Sequence, residues 1–187
     1  MATTGSATES GEHHNSSVPT STDNPVGAQP VVVVGVDGSA ASQQALLFAA
    51  REATLRKAVL RIVTSHDLRP VVYGYAGGFD MGFEIGPLEN RLKQAAEALV
   101  KAAADTVAGS TSAADTPITV ETFAVQGRAS EVLLHIAKGA ALLVVGARGA
   151  GAFTRLMMGS TSTEVVHHAH LPVTVVPSDD RHGAETT

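Results

Sequence analysis

Continuous apolar runs alternate along this chain with stretches of helical period. Val31-Val32-Val33-Val34-Gly35-Val36 carries no polar residue, the pattern of a central strand covered on both faces. It ends in Asp37-Gly38-Ser39, where Gly38 suits a sharp turn and Ser39 suits a helix N-cap. Ala41, Ala45, Phe48, Ala49 and Leu55 then recur at helical spacing as far as Lys57. Leu60 to Ser65 is a second strand, and a long Gly-, Tyr- and Phe-rich connection follows from His66 to Pro87. Leu88 to Val107 is rich in good helix formers. After a polar linker over 109–116, Ile118 to Val125 alternates apolar and polar residues, as a strand near an edge does. Gln126-Gly127-Arg128-Ala129 turns into a third helix over Ser130 to Lys138, with Gly139 as its stop. The apolar run Ala141 to Val145 is a fourth strand, about Ser160 to His168 a fourth helix, and Pro172 to Val176 a last strand, placed at an edge by its proline.

Five strands and four helices in strict alternation predict an α/β fold: a Rossmann-like open parallel sheet with helices on both faces. Residues 1–28 have almost nothing apolar and cannot offset their ordering entropy, so they are expected to form a disordered tail. The folded domain is expected over 29–177, with a polar tail over 178–187. Aromatic residues make up 4% of the chain and Trp is absent, which leaves Val, Leu, Ile and Ala to fill the core. The net charge of -5 argues against broad nucleic-acid binding. No apolar run approaches the roughly 20 residues of a membrane span, and the N-terminus lacks the marks of a signal peptide. With no cysteine, thiol chemistry and disulfides are excluded, which fits a cytoplasmic protein.

The candidate chemistry lies where the fourth strand meets the fourth helix. Gly146-Ala147-Arg148-Gly149 is followed by nine residues and then Gly159-Ser160-Thr161-Ser162. Glycines at a strand end allow close backbone approach, and the N–H groups around Gly159, Ser160 and Thr161 would meet an anion at a helix start. The hydroxyls of Ser160 and Ser162 would add donors, and Arg155 a cation suited to phosphate oxygens. The alternative is that these residues only shape a loop and a cap. Asp37 likewise has two readings: an acceptor for ribose or adenine, or a partner of the phosphates through a metal; otherwise a turn residue bonded to nearby backbone N–H groups. Asp37 and Gly146 would share one crevice if the first and fourth strands are neighbours. Tyr73, Tyr75, Phe79 and Phe83 would either cover a bound ring or pack on the sheet edge.

Other nucleotide and catalytic patterns fit poorly. No Gly-Lys-Ser/Thr and no Gly-x-Ser-x-Gly occurs, and the glycines from 146 have the wrong order for a dinucleotide fingerprint. His13-His14 and the set His135, His167, His168 and His170 raise a metal reading, against which stand a solvated tail and the preference of histidine for helix C-termini. No catalytic residue and no metal site are assigned. A general base for water is lacking near the phosphates unless Asp37 or Glu164 serves.

The Gly-x-x-Gly-x9-Gly-Ser pattern at Gly146, Gly149, Gly159 and Ser160 resembles the ATP-binding signature of the universal stress protein family. Three further segments agree in order: Val34 to Ser39, Gln126 to Ala129, and His168 to Val173, so the resemblance covers about Pro30 to Val176. It implies a five-stranded sheet of order 3-2-1-4-5, with Asp37 beside adenosine and Ser65, within a residue, meeting adenine through its backbone. It also implies Gly146, Gly149, Gly159, Ser160 and Ser162 along the phosphates. The full candidate set is Val36, Asp37, Gly38, Ser39, Ser65, Gly146, Arg148, Gly149, Arg155, Gly159, Ser160, Thr161 and Ser162. The implied cofactor is ATP, with Mg2+ as its companion, and the implied assembly a homodimer through Val173 to Val176, working on an unknown protein partner. The expected role is a nucleotide-dependent stress-response module; a slow ATP hydrolase and a nucleotide-free chaperone-like dimer are the rivals. The sequence departs from the family pattern in its long aromatic segment after the second strand and in Leu171, where many members have cysteine.

Overall fold

A computed structural model describes residues 29–67, 85–110, 117–148 and 158–177. The elements are β1 (Val31–Gly35), α1 (Ala40–Arg56), β2 (Val59–His66), α2 (Ile85–Ser110), β3 (Val120–Gln126), α3 (Ala129–Ile136), β4 (Leu142–Gly146), α4 (Ser160–His168) and β5 (Val173–Val176). All strand pairs are parallel and the order is β3-β2-β1-β4-β5. The expected sheet and its order are therefore observed, with β3 and β5 at its two edges.

Every side chain of Val31 to Val34 is buried, because successive residues point to opposite, equally covered faces. On one face Val32, Val34, Leu60, Ile62, Leu142 and Val144 meet α1 and α2 through Ala45, Leu46, Ala49, Val100, Ala103 and Val107. On the other, Val31, Val33, Val63, Leu143 and Val145 meet α3 and α4 through Val132, Leu133, Ile136 and Val165. Small alanines on α1 let that helix lie close to the sheet. Each fully buried Val or Leu contributes about 1.5–3 kcal/mol, so this double layer fixes where the strand ends lie.

α2 is longer than expected, beginning before Pro87 and extending past Gly109. Pro87 sits in the first turn, where backbone N–H groups have no intrahelical acceptor and proline costs nothing. Gly109 sits next to the last residue, where a helix tolerates it. α1 ends at Lys57, whose left-handed φ of 51° is the one positive φ of a non-glycine residue among the described residues. Among the described residues, no helix is long and apolar enough to cross a membrane. The expected tails (1–28 and 178–187), the aromatic residues at 73, 75, 79 and 83, and the site residues Gly149 and Arg155 lie outside the described residues.

Candidate functional site

The chain leaves β1 towards one edge of the sheet through β2 and β3, then returns to place β4 on the other side of β1. Val32, Val33 and Val34 pair with Leu142, Leu143 and Val144. The carboxyl ends of β1 and β4 are thus neighbours at the point where strand order reverses, which is where open parallel sheets leave a crevice.

From the β1 side, Val36 is buried and its N–H still donates to the Val63 carbonyl at 2.9 Å. The backbone then breaks away. Asp37 Oδ1 accepts from the Ser39 N–H at 3.0 Å and from the Ser39 hydroxyl at 2.6 Å, while Gly38 takes a φ of +81° between them. Ser39 is the N-cap of α1, its Oγ accepting from the Ser42 N–H at 3.2 Å. Ser42, itself buried, returns a hydroxyl bond to the Ser39 carbonyl at 2.9 Å and accepts from the Asp37 N–H at 3.3 Å. Asp37 therefore does the local work of a turn residue, and does it while its carboxylate stays exposed at the mouth of the crevice.

The β4 side is built against this turn. A Cβ on Gly146 would lie 2.9 Å from the Ala41 carbonyl carbon and 3.0 Å from the Ser42 nitrogen. Gly146 is bare so that the first turn of α1 can pack on the end of β4; the close approach it permits is that of a helix. One residue on, the Ala147 N–H donates to the Val176 carbonyl at 2.7 Å. The Arg148 carbonyl oxygen lies 3.4 Å from Ser39 Oγ, so the two strand-end loops touch.

The Ala147 carbonyl staples the far end of the loop. It accepts from the Gly159 N–H at 2.8 Å and from the Ser162 hydroxyl at 3.0 Å. Two expectations change here. The Gly159 N–H does not face outward, because Gly159 is the N-cap of α4 and its amide is held by Ala147. The Ser162 hydroxyl is turned inward and its side chain is 3% exposed, so it holds the loop and adds no outward donor. What α4 presents instead are the N–H groups of Ser160, Thr161 and Ser162. Helix geometry gives them no partner within α4, and no acceptor takes them among the described residues. Gly159 caps without a side chain, at φ −64°, and a Cβ there would meet nothing closer than 3.4 Å. Its neighbours in the fold leave room for a side chain, unlike those of Gly146.

Ser65 lies near the end of β2, paired with Val125 and half-buried, two residues past the Val63 carbonyl that receives Val36. Next to it, the buried Nδ1 of His66 has no hydrogen-bond partner. Nothing in the sequence singles out that nitrogen. Also unforeseen is the position of Glu164: its carboxylate accepts from the Arg128 guanidinium and from the buried Ser130 hydroxyl, both at the start of α3. A carboxylate so engaged is poorly placed to take a proton from water, which removes one of the two bases open to a hydrolytic reading. His135, His167 and His168 sit in the last turns of α3 and α4, exposed, where the helix dipole favours them. No group of three or more His, Asp or Glu side chains converges among the described residues.

The start of α4 can therefore offer an anion three N–H groups without an acceptor among the described residues and the positive end of a helix, tied through Ala147 and Arg148 to the turn that carries Asp37. Residues 30–177 match the family model described as the universal stress protein family. A universal stress protein of Mycolicibacterium smegmatis is 37% identical over 150 residues, covering 80% of this chain and 49% of the relative. The chain thus spans about half the length of the curated relatives it matches. Among solved structures, universal stress protein UspA from Lactobacillus plantarum superposes with a TM-score of 0.61 at 24% identity, covering 80% of this chain and 99% of that one. A universal stress protein in complex with cAMP gives 0.55 at 23% identity, over 80% of this chain and 98% of that one. That of Archaeoglobus fulgidus in complex with dAMP gives 0.52 at 20%, over 79% and 97%. On the match across its whole folded region and on these relatives, the chain belongs to the universal stress protein family.

Proposed function

We propose that the chain binds ATP in the crevice between the ends of β1 and β4 and acts as a nucleotide-dependent regulatory module. The observation that carries this reading is the set of three N–H groups at Ser160, Thr161 and Ser162 that find no acceptor among the described residues, at the start of a helix that the Gly159–Ala147 bond ties to the end of β4, where the Arg148 carbonyl lies 3.4 Å from Ser39 Oγ. Charge-assisted hydrogen bonds from such amides are worth about 1.5–3 kcal/mol each, enough together to hold a polyphosphate. Two family members of the same fold are solved with adenine nucleotides, cAMP and dAMP, which supports an adenine nucleotide as the ligand; its adenosine moiety would lie on the Asp37 and Ser65 side. Arg148, Gly149 and Arg155 would complete the phosphate side, with Val36, Gly38 and Ser39 shaping the other wall. Mg2+ would travel with the phosphates, held by their oxygens and water.

The chain would work in the cytoplasm as a homodimer through β5, whose outer edge has no strand beside it among the described residues and whose four residues are half-buried. ATP occupancy would set loop order or dimer geometry, and so the choice of protein partner. Isothermal titration of ATP tests the assigned pocket. Affinity should fall in Gly159→Ala, whose methyl would press on Ser162 Oγ and Arg148 Cα at the base of the loop that leads to the amides, and fall also in Asp37→Glu. Unchanged affinity in both variants refutes the pocket.

A further inference from the structure

The ion pair between Arg128 and Glu164 lies beside the proposed phosphate site. Glu164 follows Ser160 by four residues, so it sits about one helical turn, roughly 6 Å, further along the same face of α4. A bare carboxylate there would face a bound polyphosphate with a like charge. It is not bare: the Arg128 guanidinium and the Ser130 hydroxyl both donate to it, from the first turn of α3, 36 and 34 residues away in sequence. Arg128 also lies 4.0 Å from Glu131, a pairing between two largely exposed groups that adds little. Glu164 is the better covered partner, at 31% exposure against 55% for Arg128.

Resting on the nucleotide reading above, we propose that Arg128 is a positioning and charge-compensating residue of the nucleotide site: it neutralises Glu164 next to the phosphates and ties the start of α4 to the start of α3. Glu164 faces two ways. Its charge favours the N-terminus of α3, where Ser130 and Arg128 hold it, and opposes an anion at the N-terminus of α4. Arg128 resolves that conflict. The effect is electrostatic, so it grows with the number of phosphates and shrinks with salt.

The test is a set of titrations on the full chain with Arg128→Gln, Arg128→Lys, Glu164→Gln and the double variant Arg128→Gln/Glu164→Gln. Each is run with ATP, ADP, AMP and adenosine at low and high salt, with circular dichroism and urea midpoints as folding controls. Arg128→Gln should weaken ATP roughly three- to tenfold at low salt, ADP less, and adenosine not at all, as expected for charges several ångströms apart at a surface. Arg128→Lys keeps the charge and should stay close to the parent. Glu164→Gln keeps the shape, with the amide oxygen still accepting from Arg128 and the NH2 donating to Ser130 Oγ in place of the present bond, so ATP affinity should hold or rise, and the double variant should return towards the parent. The proposal is overturned if Glu164→Gln weakens ATP as much as Arg128→Gln, if adenosine suffers equally, or if Arg128→Gln leaves ATP unchanged. Failure of the unaltered chain to bind any nucleotide would instead remove the functional reading, and this proposal with it.

Discussion

Two glycines of the same motif should answer alanine substitution in opposite ways. At Gly146 the added methyl would lie 2.9 Å from the Ala41 carbonyl carbon, 3.0 Å from the Ala41 Cβ and 3.0 Å from the Ser42 nitrogen. These are mainly backbone atoms at the start of a helix whose N-cap bonds are all made, so they cannot swing aside as a side-chain tip would. α1 or the end of β4 must shift by several tenths of an ångström. Overpacking of this kind costs about 1–3 kcal/mol. For a chain of this size that is a fall in melting temperature of about 2–4 °C per kcal/mol. At Gly159 the φ of −64° suits any residue, and a methyl would stay 3.4 Å or more from Ser162 Oγ, Arg148 Cα and the Ala147 oxygen. Loss of a glycine N-cap and stiffening of the unfolded chain act in opposite directions there, so stability should stay within about 1 kcal/mol of the parent. Urea unfolding without nucleotide, followed by circular dichroism, separates the two: the Gly146→Ala midpoint drops at an unchanged slope while the Gly159→Ala midpoint barely moves. A stable Gly146→Ala protein would show that this glycine is bare for a ligand, and the packing argument would fall.

Two further substitutions probe the scaffold around the crevice. Ser162→Ala removes the hydroxyl that holds the Ala147 carbonyl, and should cost about 1 kcal/mol of unfolding free energy while loosening the loop, read as faster amide exchange at Gly159. Lys57→Gly relieves the left-handed conformation at the end of α1 and should raise stability by up to about 1 kcal/mol in the same urea assay, against the added entropy of its unfolded chain.

Periodicity carried the sheet because the physics behind it is local. The run Val31 to Val34 is apolar at every position since both of its faces are covered, and Pro172 opens a strand that does lie at an edge. Asp37 and Gly146 were expected to share a crevice if strands one and four were neighbours, and the pairing of Val32 with Leu142 makes them so. α2 outran its expected limits because Pro87 and Gly109 break helices only in the interior, and both sit at the ends. The site was less legible. A glycine pattern does not say whether the missing side chain makes way for a helix, as at Gly146, or leaves room for a methyl at ordinary contact distance, as at Gly159. A serine at a helix start does not say which way its hydroxyl turns, and Ser162 turns inward. The partnership of Arg128, Ser130 and Glu164 joins residues more than 30 positions apart, and only the packing of α3 against α4 brings them together.

The central claim is that the first amides of α4 grip phosphate. Backbone amide NMR of the labelled chain, titrated with ATP and separately with adenosine, tests it most directly. ATP should move the proton resonances of Ser160, Thr161 and Ser162 strongly downfield, with adenosine moving the Asp37 and Ser65 side alone. Resonances of those three amides left in place at saturating ATP would contradict the account.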